Sequence, residues 1–343
     1  MIKIGNRKIS LDSKPLIVAE IGINHFGSLK LAKKIVDNIK KCGAEAVKVQ
    51  IHIPDEEMSE EAKKIKPGNS SKNIFKIIQE NSLTLNQELE LKKYIEKKKL
   101  IYIATPFSYA AADWLNKHNI KIFKIGSGEC NNLPLIKYIC KFKKPMIVST
   151  GMNSINSISK TVSVLNRKKI PHILLHCVNL YPVDYNLIRL NRISILKKKF
   201  SKSIIGYSDH SIGNGIPVAA LGLGAKLIEK HFVISKKRKG PDVICSMDKN
   251  ELKELIIVSK QIHASLNSKK DIIEEENITR RFAFHSVVSK SKILKGQKFD
   301  KKNLTTKRPG TGYFPASKIY SLFGKISKTN IKKNRLIKKN DIQ

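Results

Sequence analysis

The chain has 343 residues, 41% of them hydrophobic, which is enough for one large α/β domain and a smaller second domain. No apolar run approaches the roughly 20 residues of a membrane-spanning helix, and the amino terminus lacks the apolar core of a signal peptide, so we expect a cytoplasmic protein without a membrane partner. The five cysteines are scattered without a CxxC spacing, which argues against a cysteine zinc site or redox pair and predicts buried thiols.

The net charge of +38 raises the alternative of a basic polyanion-binding protein. Lysine is spread along the whole chain, however, and arginine and aromatic residues are not clustered as a base-stacking surface requires. We therefore interpret the charge as solvated surface lysine and predict no nucleic-acid partner. Anionic substrates are the ligands that would benefit from it.

The predicted elements begin with a small hairpin over residues 2–9, where apolar residues flank a Gly-Asn pair. From Leu16 onwards a β-rich run followed by an amphipathic helix occurs eight times, and the runs are LIVAEI, AVKVQI, LIYIAT, KIFKIG, PMIVST, HILLHC, SIIGYSD and AKLIEKH. Eight βα units predict an α/β fold with a closed TIM barrel, which together with the hairpin occupies residues 1–266. An open doubly wound sheet is the alternative, but the Gly-rich first turn typical of that fold is absent.

Two segments depart from the barrel repeat. The connection between Ile51 and Leu85 is about six times the usual length and predicts a functional excursion over the top face. Residues 267–280 lack apolar periodicity and are interpreted as a linker, which leaves 281–343 as a small second domain. In that domain the segment 292–304 matches 330–342, which predicts a pseudo-symmetric arrangement of short strands and turns.

Two of the predicted strands end in histidine. Strand seven ends SDH and strand eight ends EKH, so a parallel sheet would bring His210 and His231 side by side at its carboxyl edge. Asp209 and Glu229 supply a carboxylate near each of them. From these residues alone, a metal site and a pair of structural histidines bonded to carbonyl groups both stay open.

Lys48 and Lys124 lie inside otherwise apolar strands, where a buried ammonium group needs an anionic partner. A phosphate or carboxylate ligand would supply one, and internal salt bridges with Glu20 or Glu129 are the alternative. Hydroxyl groups at neighbouring strand ends suit phosphate oxygens as hydrogen-bond donors, and they belong to Ser127, Ser149 and Ser208.

In chain order and over nearly the full length, the sequence resembles the sialic acid synthases in the segments AEIGINH, VKVQ, TPF, FKIGSGECNN, IVSTGM, LLHCVNLYP, IGYSDH, EKHF, KGPDVICSMD and KRPGTG. The PDEEMS and PGN segments and the terminal antifreeze-like (SAF) domain bring it close to the bacterial N-acetylneuraminate synthases. The resemblance implies a homodimer of TIM barrels in which each SAF domain reaches the partner barrel. It also implies condensation of phosphoenolpyruvate with N-acetylmannosamine, using a divalent metal, Mn²⁺ with Mg²⁺ or Co²⁺ as alternatives.

The resemblance further implies a role for each matched residue. Phosphoenolpyruvate would be held by Lys48, Lys124, Ser127, Ser149, Asn179 and Ser208. The metal would be bound by His210 and His231, with Glu129 beside it as acid, base or water holder. The sugar would be contacted by Glu20, Gln50, Asn69, Tyr181 and Asp242, and its N-acetyl group by the partner's Arg308, while Thr105 is a further rim contact. The predicted catalytic set is Glu129, Lys48, Lys124 and Glu20.

Within the enzyme class, the alternatives are synthases of legionaminic or pseudaminic acid, which share the metal and phosphoenolpyruvate residues and differ in sugar contacts. A barrel that binds sugar without turnover is disfavoured by the intact lysine and histidine pairs. Val49, Ile51 and His285 depart from the family pattern, but no matched catalytic position is lost.

Overall fold

The computed structural model describes residues 1–67, 71–238, 240–267 and 271–343. The chain divides into two compact units, Met1–Ser268 and Lys269–Gln343, and each has a hydrophobic core of its own. The predicted linker falls partly on residues 268–270, which lie outside the described residues. No helix in the described ranges combines the length and apolarity that a membrane crossing needs.

An antiparallel hairpin of β1 (Ile2–Ile4) and β2 (Arg7–Ile9) opens the first unit, as the Gly-Asn turn predicts. Gly5 in its turn has φ of +57°, a left-handed conformation that glycine adopts without strain. The hairpin isoleucines are buried against the first residues of the following strands. The hairpin therefore closes the amino-terminal end of the barrel and leaves the carboxyl end for a site.

Eight parallel strands close the predicted barrel, with the last strand pairing with the first. They are β3 (Leu16–Glu20), β4 (Ala46–Ile51), β5 (Ile101–Pro106), β6 (Phe123–Ile125), β7 (Met146–Ser149), β8 (His172–Cys177), β9 (Ile204–Asp209) and β10 (Leu227–His231). Their register places Glu20 beside both Lys48 and His231. The TIM barrel predicted from the eight repeats is confirmed.

Helices cover the outside of the barrel. In the described part of the first unit they are α1 (Leu29–Lys41), α2 (Pro54–Glu57), α3 (Ile74–Asn81), α4 (Leu85–Lys97), α5 (Tyr109–Lys117), α6 (Leu133–Ile139), α7 (Ile155–Arg167), α8 (Arg192–Lys199), α9 (Gly215–Gly222) and α10 (Lys249–Leu266). Ser28 caps α1 by accepting a hydrogen bond from the Leu31 amide at 3.3 Å, and Ile35, Val36 and Ile39 bury its apolar stripe. Because α2 and α3 lie between Ile51 and Leu85, the long excursion contains two short helices.

The second unit contains α11 (Asn277–Ala283) and the antiparallel strands β11 (Ser286–Ser289) and β12 (Leu304–Lys307). The two matching segments meet at a bridge between Ile293 and Ile331 and share one core. Gly296 and Asn334 occupy equivalent turns with φ of +85° and +62°. The predicted pseudo-symmetry is therefore present in the backbone as well as in the sequence.

Candidate active site

Two buried lysines share one carboxylate at the carboxyl end of the barrel. Lys48 on β4 and Lys124 on β6 are only 4% and 2% exposed. Lys48 Nζ lies 2.6 Å from Glu20 Oε2, and both ammonium groups lie 3.4 Å from Glu229 Oε1. Since β6 and β10 are not neighbours in the barrel, the pair between Lys124 and Glu229 spans its interior.

Of the internal salt bridges with Glu20 or Glu129 that the sequence leaves open, the one between Lys48 and Glu20 is confirmed. Lys124 pairs instead with Glu229, the carboxylate expected near the histidines. A signal was available, because Glu229 lies two residues before His231 and so faces the same side of β10.

The four ionisable groups of this cluster differ in the direction and size of their pKa shifts. Burial alone would raise the pKa of Glu229, but the ammonium groups of Lys124 and Lys48 lower it to about 2. Burial raises the pKa of Glu20 to about 7 against the opposing effect of Lys48. Burial lowers the pKa of Lys124, whereas Glu20 and Glu229 hold that of Lys48 above its ordinary value despite burial. Glu229 and Lys48 are therefore charged at neutral pH, and Glu20 titrates there.

Hydroxyl and amide groups converge beside the lysine pair. Ser208 Oγ donates to Glu229 Oε1 at 3.1 Å, and the Gly151 amide donates to Ser127 Oγ at 3.1 Å. A Cβ atom at Gly151 would collide with Asn179 Oδ1 and lie 2.8 Å from Ser127 Oγ, so this glycine leaves room for both side chains beside the backbone. In the described part of the chain, the buried Ser149 hydroxyl has no hydrogen-bond partner. A ligand oxygen would satisfy it.

The two strand-end histidines lie together, with ring centroids 5.6 Å apart. His210 Nδ1 donates to the Val178 carbonyl at 2.8 Å, which leaves its Nε2 lone pair available. His231 Nδ1 has no hydrogen-bond partner among the described residues, and Asp242 Oδ2 lies 3.7 Å from it. Burial, reinforced by His231 and Lys48 respectively, lowers the pKa of His210 to about 4 and that of His231 to about 3.

These histidines suit a divalent metal that takes its other ligands from substrate and water. Both imidazoles are neutral at neutral pH, which is the form that ligates a metal, and the buried His231 Nδ1 has no hydrogen-bond partner within the described ranges. Over the ranges described, no three or more His, Cys, Asp or Glu side chains converge to hold a metal alone. Two imidazoles would leave several coordination positions for substrate and water, which is typical of a catalytic rather than a closed structural metal site.

The Asp209 carboxylate bonds groups other than the His210 imidazole, although the two residues are adjacent in the sequence. Its carboxylate accepts from the Tyr207 hydroxyl at 2.9 Å and from the Ser211 amide at 3.1 Å, and it pairs with the buried ammonium group of Lys230. This pair lies on the other face of the strands from the lysine cluster. It joins the ends of β9 and β10 and so helps to fix His210 relative to His231.

Four of the predicted sugar contacts and the rim residue Thr105 lie at one end of the barrel. The ring of Tyr181 lies against that of His210, with centroids 3.9 Å apart and planes tilted by 32°, and Tyr181 lines a cavity of about 900 Å³ with Phe26, Ile212 and Val243. Gln50 lies on the same face of β4 as Lys48, one step nearer the mouth, opposite Thr105 on β5. The structure thus brings Tyr181, Gln50, Asp242, Glu20 and Thr105 to the end of the barrel that carries the lysines and histidines.

Three predicted residues need separate mention. Burial raises the pKa of Glu129, whose side chain folds back over Gly126 at the end of β6. Asn69 lies outside the described residues. Arg308 lies in the second unit, where its Nε donates to the Ala283 carbonyl at 3.1 Å.

Comparisons with known proteins agree on the family. The family model described as NeuB family matches residues 35–271, and that of the SAF domain matches residues 285–343. N,N'-diacetyllegionaminic acid synthase of Campylobacter jejuni is 38% identical over 95% of this chain and 99% of its own length, and pseudaminic acid synthase of the same species is 31% identical over the whole of both chains. The crystal structure of N-acetylneuraminic acid (sialic acid) synthetase from Leptospira borgpetersenii in complex with citrate superposes with a TM-score of 0.74 at 32% identity, covering 82% of this chain and 95% of that one.

Proposed function

Because the chain belongs to the NeuB family, which includes sialic, legionaminic and pseudaminic acid synthases, we propose that it condenses phosphoenolpyruvate with N-acetylmannosamine and water. The products are N-acetylneuraminic acid and inorganic phosphate. C3 of phosphoenolpyruvate forms a bond to the aldehyde carbon of the open-chain sugar, water adds at C2, and the bond between C2 and the phosphate oxygen breaks.

The observation that carries this proposal is the buried lysine pair around Glu229. Phosphoenolpyruvate has a carboxylate and a phosphate group, and Lys48 and Lys124 supply two desolvated cations for them. Neutral hydrogen-bonding groups are supplied nearby by Ser127 and Asn179 beside Gly151 and by the Ser149 hydroxyl, which has no hydrogen-bond partner in the part of the chain that the structure describes. This is a site for a small anion with more than one charged group.

A divalent metal held by His210 and His231, Mn²⁺ with Mg²⁺ or Co²⁺ as alternatives, supplies Lewis-acid polarisation of a carbonyl oxygen when bound. Proton transfer would be carried out by carboxyl groups of the chain itself. Glu20 can take up or release one near neutrality, and the raised pKa of Glu129 suits a group that holds a proton or orients water.

A second acceptor is favoured by two observations. The relative with 38% identity over 99% of its length makes diacetyllegionaminic acid, and the cavity beside Tyr181 is lined largely by apolar side chains such as Phe26, Ile212 and Val243. A diacetamido sugar presents more apolar surface there than N-acetylmannosamine does. We therefore keep a diacetamido acceptor as the second candidate.

The experiment that tests the function is phosphate release from phosphoenolpyruvate with Mn²⁺, comparing N-acetylmannosamine with its diacetamido analogues. No release with any acceptor would refute the enzyme assignment. Chelation of the metal and the substitution His210→Ala should each abolish turnover in a protein that stays folded, and full activity in either case would refute the metal site. Tight binding of nucleic acid in a gel shift at physiological salt would instead support the polyanion alternative.

We also propose a homodimer in which the partner's Arg308 completes the sugar site, as the SAF domain match and the RPGTG loop suggest. Mixing the inactive variants His210→Ala and Arg308→Ala tests it. If the arginine acts in the other subunit, exchange of subunits creates one intact site per mixed dimer and restores part of the activity. Activity that stays absent after verified exchange would contradict this arrangement.

A further inference from the structure

The buried side chain of His52, which is not among the predicted site residues, contacts the predicted sugar contact Gln50. His52 directly follows β4, its ring is 7% exposed, and it stacks on Phe107 with centroids 4.3 Å apart and planes 9° from parallel. Its Nδ1 lies 2.9 and 3.1 Å from the two carboxylate oxygens of Glu57, which is 6% exposed at the end of α2. Its Nε2 lies 3.1 Å from Oε1 of Gln50.

These contacts use both nitrogens of the ring. An ionised carboxylate only accepts hydrogen bonds, so Nδ1 carries a hydrogen and donates it to Glu57. If the ring is also protonated at Nε2, it donates to Gln50 Oε1; if it is not, Nε2 accepts from the amide nitrogen of a rotated Gln50. In both states the bond fixes the plane of the Gln50 amide.

The contacts of His52 differ from those of the other buried histidines in the barrel wall. His172 bonds the Ile170 carbonyl and the Ser203 hydroxyl, and His176 bonds the Ile188 carbonyl. Those bonds hold the barrel wall together and reach no predicted ligand contact. His52 instead bonds the side chain of Gln50, which faces the mouth of the barrel.

We propose that His52, oriented by Glu57 and Phe107, is a positioning residue that presents the Gln50 amide to the acceptor sugar. This inference rests on the proposed function, because it takes the ligand of Gln50 to be the acceptor. Glu57 belongs to the long excursion between β4 and α4, so the excursion contributes to acceptor binding from outside the cavity. Of the two substrates, the acceptor is the one whose binding should change, since the residues proposed to hold phosphoenolpyruvate include Lys48 and Lys124 but not Gln50.

Two conservative substitutions separate positioning from packing. The amide of glutamine reaches the place of Nε2 and can bond Gln50, whereas that of asparagine reaches the place of Nδ1 and can bond only Glu57. We expect His52→Ala and His52→Asn to raise KM for the acceptor about tenfold and to leave KM for phosphoenolpyruvate within twofold. His52→Gln should recover most of the loss, and in a Gln50→Ala background His52→Ala should have no further effect.

His172→Ala is the matched control, because it also removes a buried histidine with both nitrogens bonded. It should lower stability without changing the ratio of the two KM values. Equal KM shifts for both substrates in His52→Ala, or identical behaviour of the asparagine and glutamine variants, would overturn the inference.

Titration calorimetry of the acceptor without turnover gives a second test. A wild-type dissociation constant in His52→Ala would overturn the positioning role alone. Absent phosphate release from a wild type that still binds acceptor would refute the proposed function alone, and weaker acceptor binding by His52→Ala in that case would still support the positioning role.

Discussion

Replacing Lys124 with methionine tests whether the buried lysine pair is the anion site. Methionine keeps an unbranched side chain but removes the ammonium group that lies 3.4 Å from Glu229 Oε1. At an effective dielectric constant of about 20, two charges at that distance attract by about 5 kcal/mol, before the desolvation of both groups is subtracted. Because methionine needs no such desolvation and Glu229 keeps Lys48, we expect the free energy of unfolding to stay within about 2 kcal/mol of wild type.

The effect on phosphoenolpyruvate should be much larger. Removing one partner of a buried charge pair costs about 2–5 kcal/mol of binding, so KM for phosphoenolpyruvate should rise on the order of 100-fold in Lys124→Met. KM for the acceptor should stay within about twofold, because the one predicted acceptor contact in the cluster, Glu20, pairs with Lys48 rather than with Lys124. Phosphate release with each substrate varied in turn measures both values, and urea denaturation checks the fold.

Lys92→Met is the control for this experiment. Lys92 is also a buried lysine, paired with Glu96 at 2.7 Å, but it lies on α4 in the outer layer of the barrel. Its loss should leave both KM values unchanged. A KM for phosphoenolpyruvate within threefold of wild type in Lys124→Met, or an equal rise for both substrates, would refute the reasoning.

Three further predictions concern the rim, a buried carboxyl and a buried ion pair. Gly151→Ala places a Cβ atom against Asn179 Oδ1, so calorimetry should show phosphoenolpyruvate binding at least about tenfold weaker in a folded protein; unchanged affinity would contradict the convergence at this glycine. Burial raises the pKa of Glu88 from 4.5 to about 8. The folded protein therefore holds the proton more tightly than the unfolded chain, so the free energy of unfolding is highest below pH 4.5 and falls as the pH rises through 8. Glu88→Gln should therefore stabilise the protein by up to roughly 4 kcal/mol at pH 8 and hardly at all at pH 4.5, and urea denaturation giving equal differences at both pH values would disprove this. Lys230→Met leaves Asp209 buried without its cation and should cost about 3–5 kcal/mol of unfolding free energy, whereas an unchanged thermal midpoint would show that the pair contributes little.

The barrel could be predicted because its signal is local. Each strand is a short apolar run next to a helix with its own period, and the observed boundaries differ from the predicted runs by no more than two residues, as strand ends commonly do. Lys48 and Lys124 could be picked out for the same reason, since a lysine inside an apolar strand is visible without knowing its neighbours.

The partners of those lysines could not be predicted in the same way. Which carboxylate meets Lys124 depends on which strand lies across the barrel, and this follows from closure of the sheet rather than from spacing along the chain. The contact between His52 and Glu57 has a similar cause. It depends on how α2 turns back over the end of β4, and neither helical nor strand periodicity describes that turn.

The two carboxylates of the buried cluster, Glu20 and Glu229, differ in pKa. When Glu20 is ionised, the cluster of Lys48, Lys124, Glu20 and Glu229 carries two positive and two negative charges, so the barrel can hold it before any ligand arrives. Apolar groups of similar volume would be no less stable there. On the proposed function, an incoming anion would compete with these carboxylates for the lysines. Glu229, with its pKa lowered to about 2 by both ammonium groups, stays ionised beside the lysines. Glu20, with a pKa of about 7, can take up a proton as negative charge arrives, which would remove the repulsion between a second carboxylate and the anion.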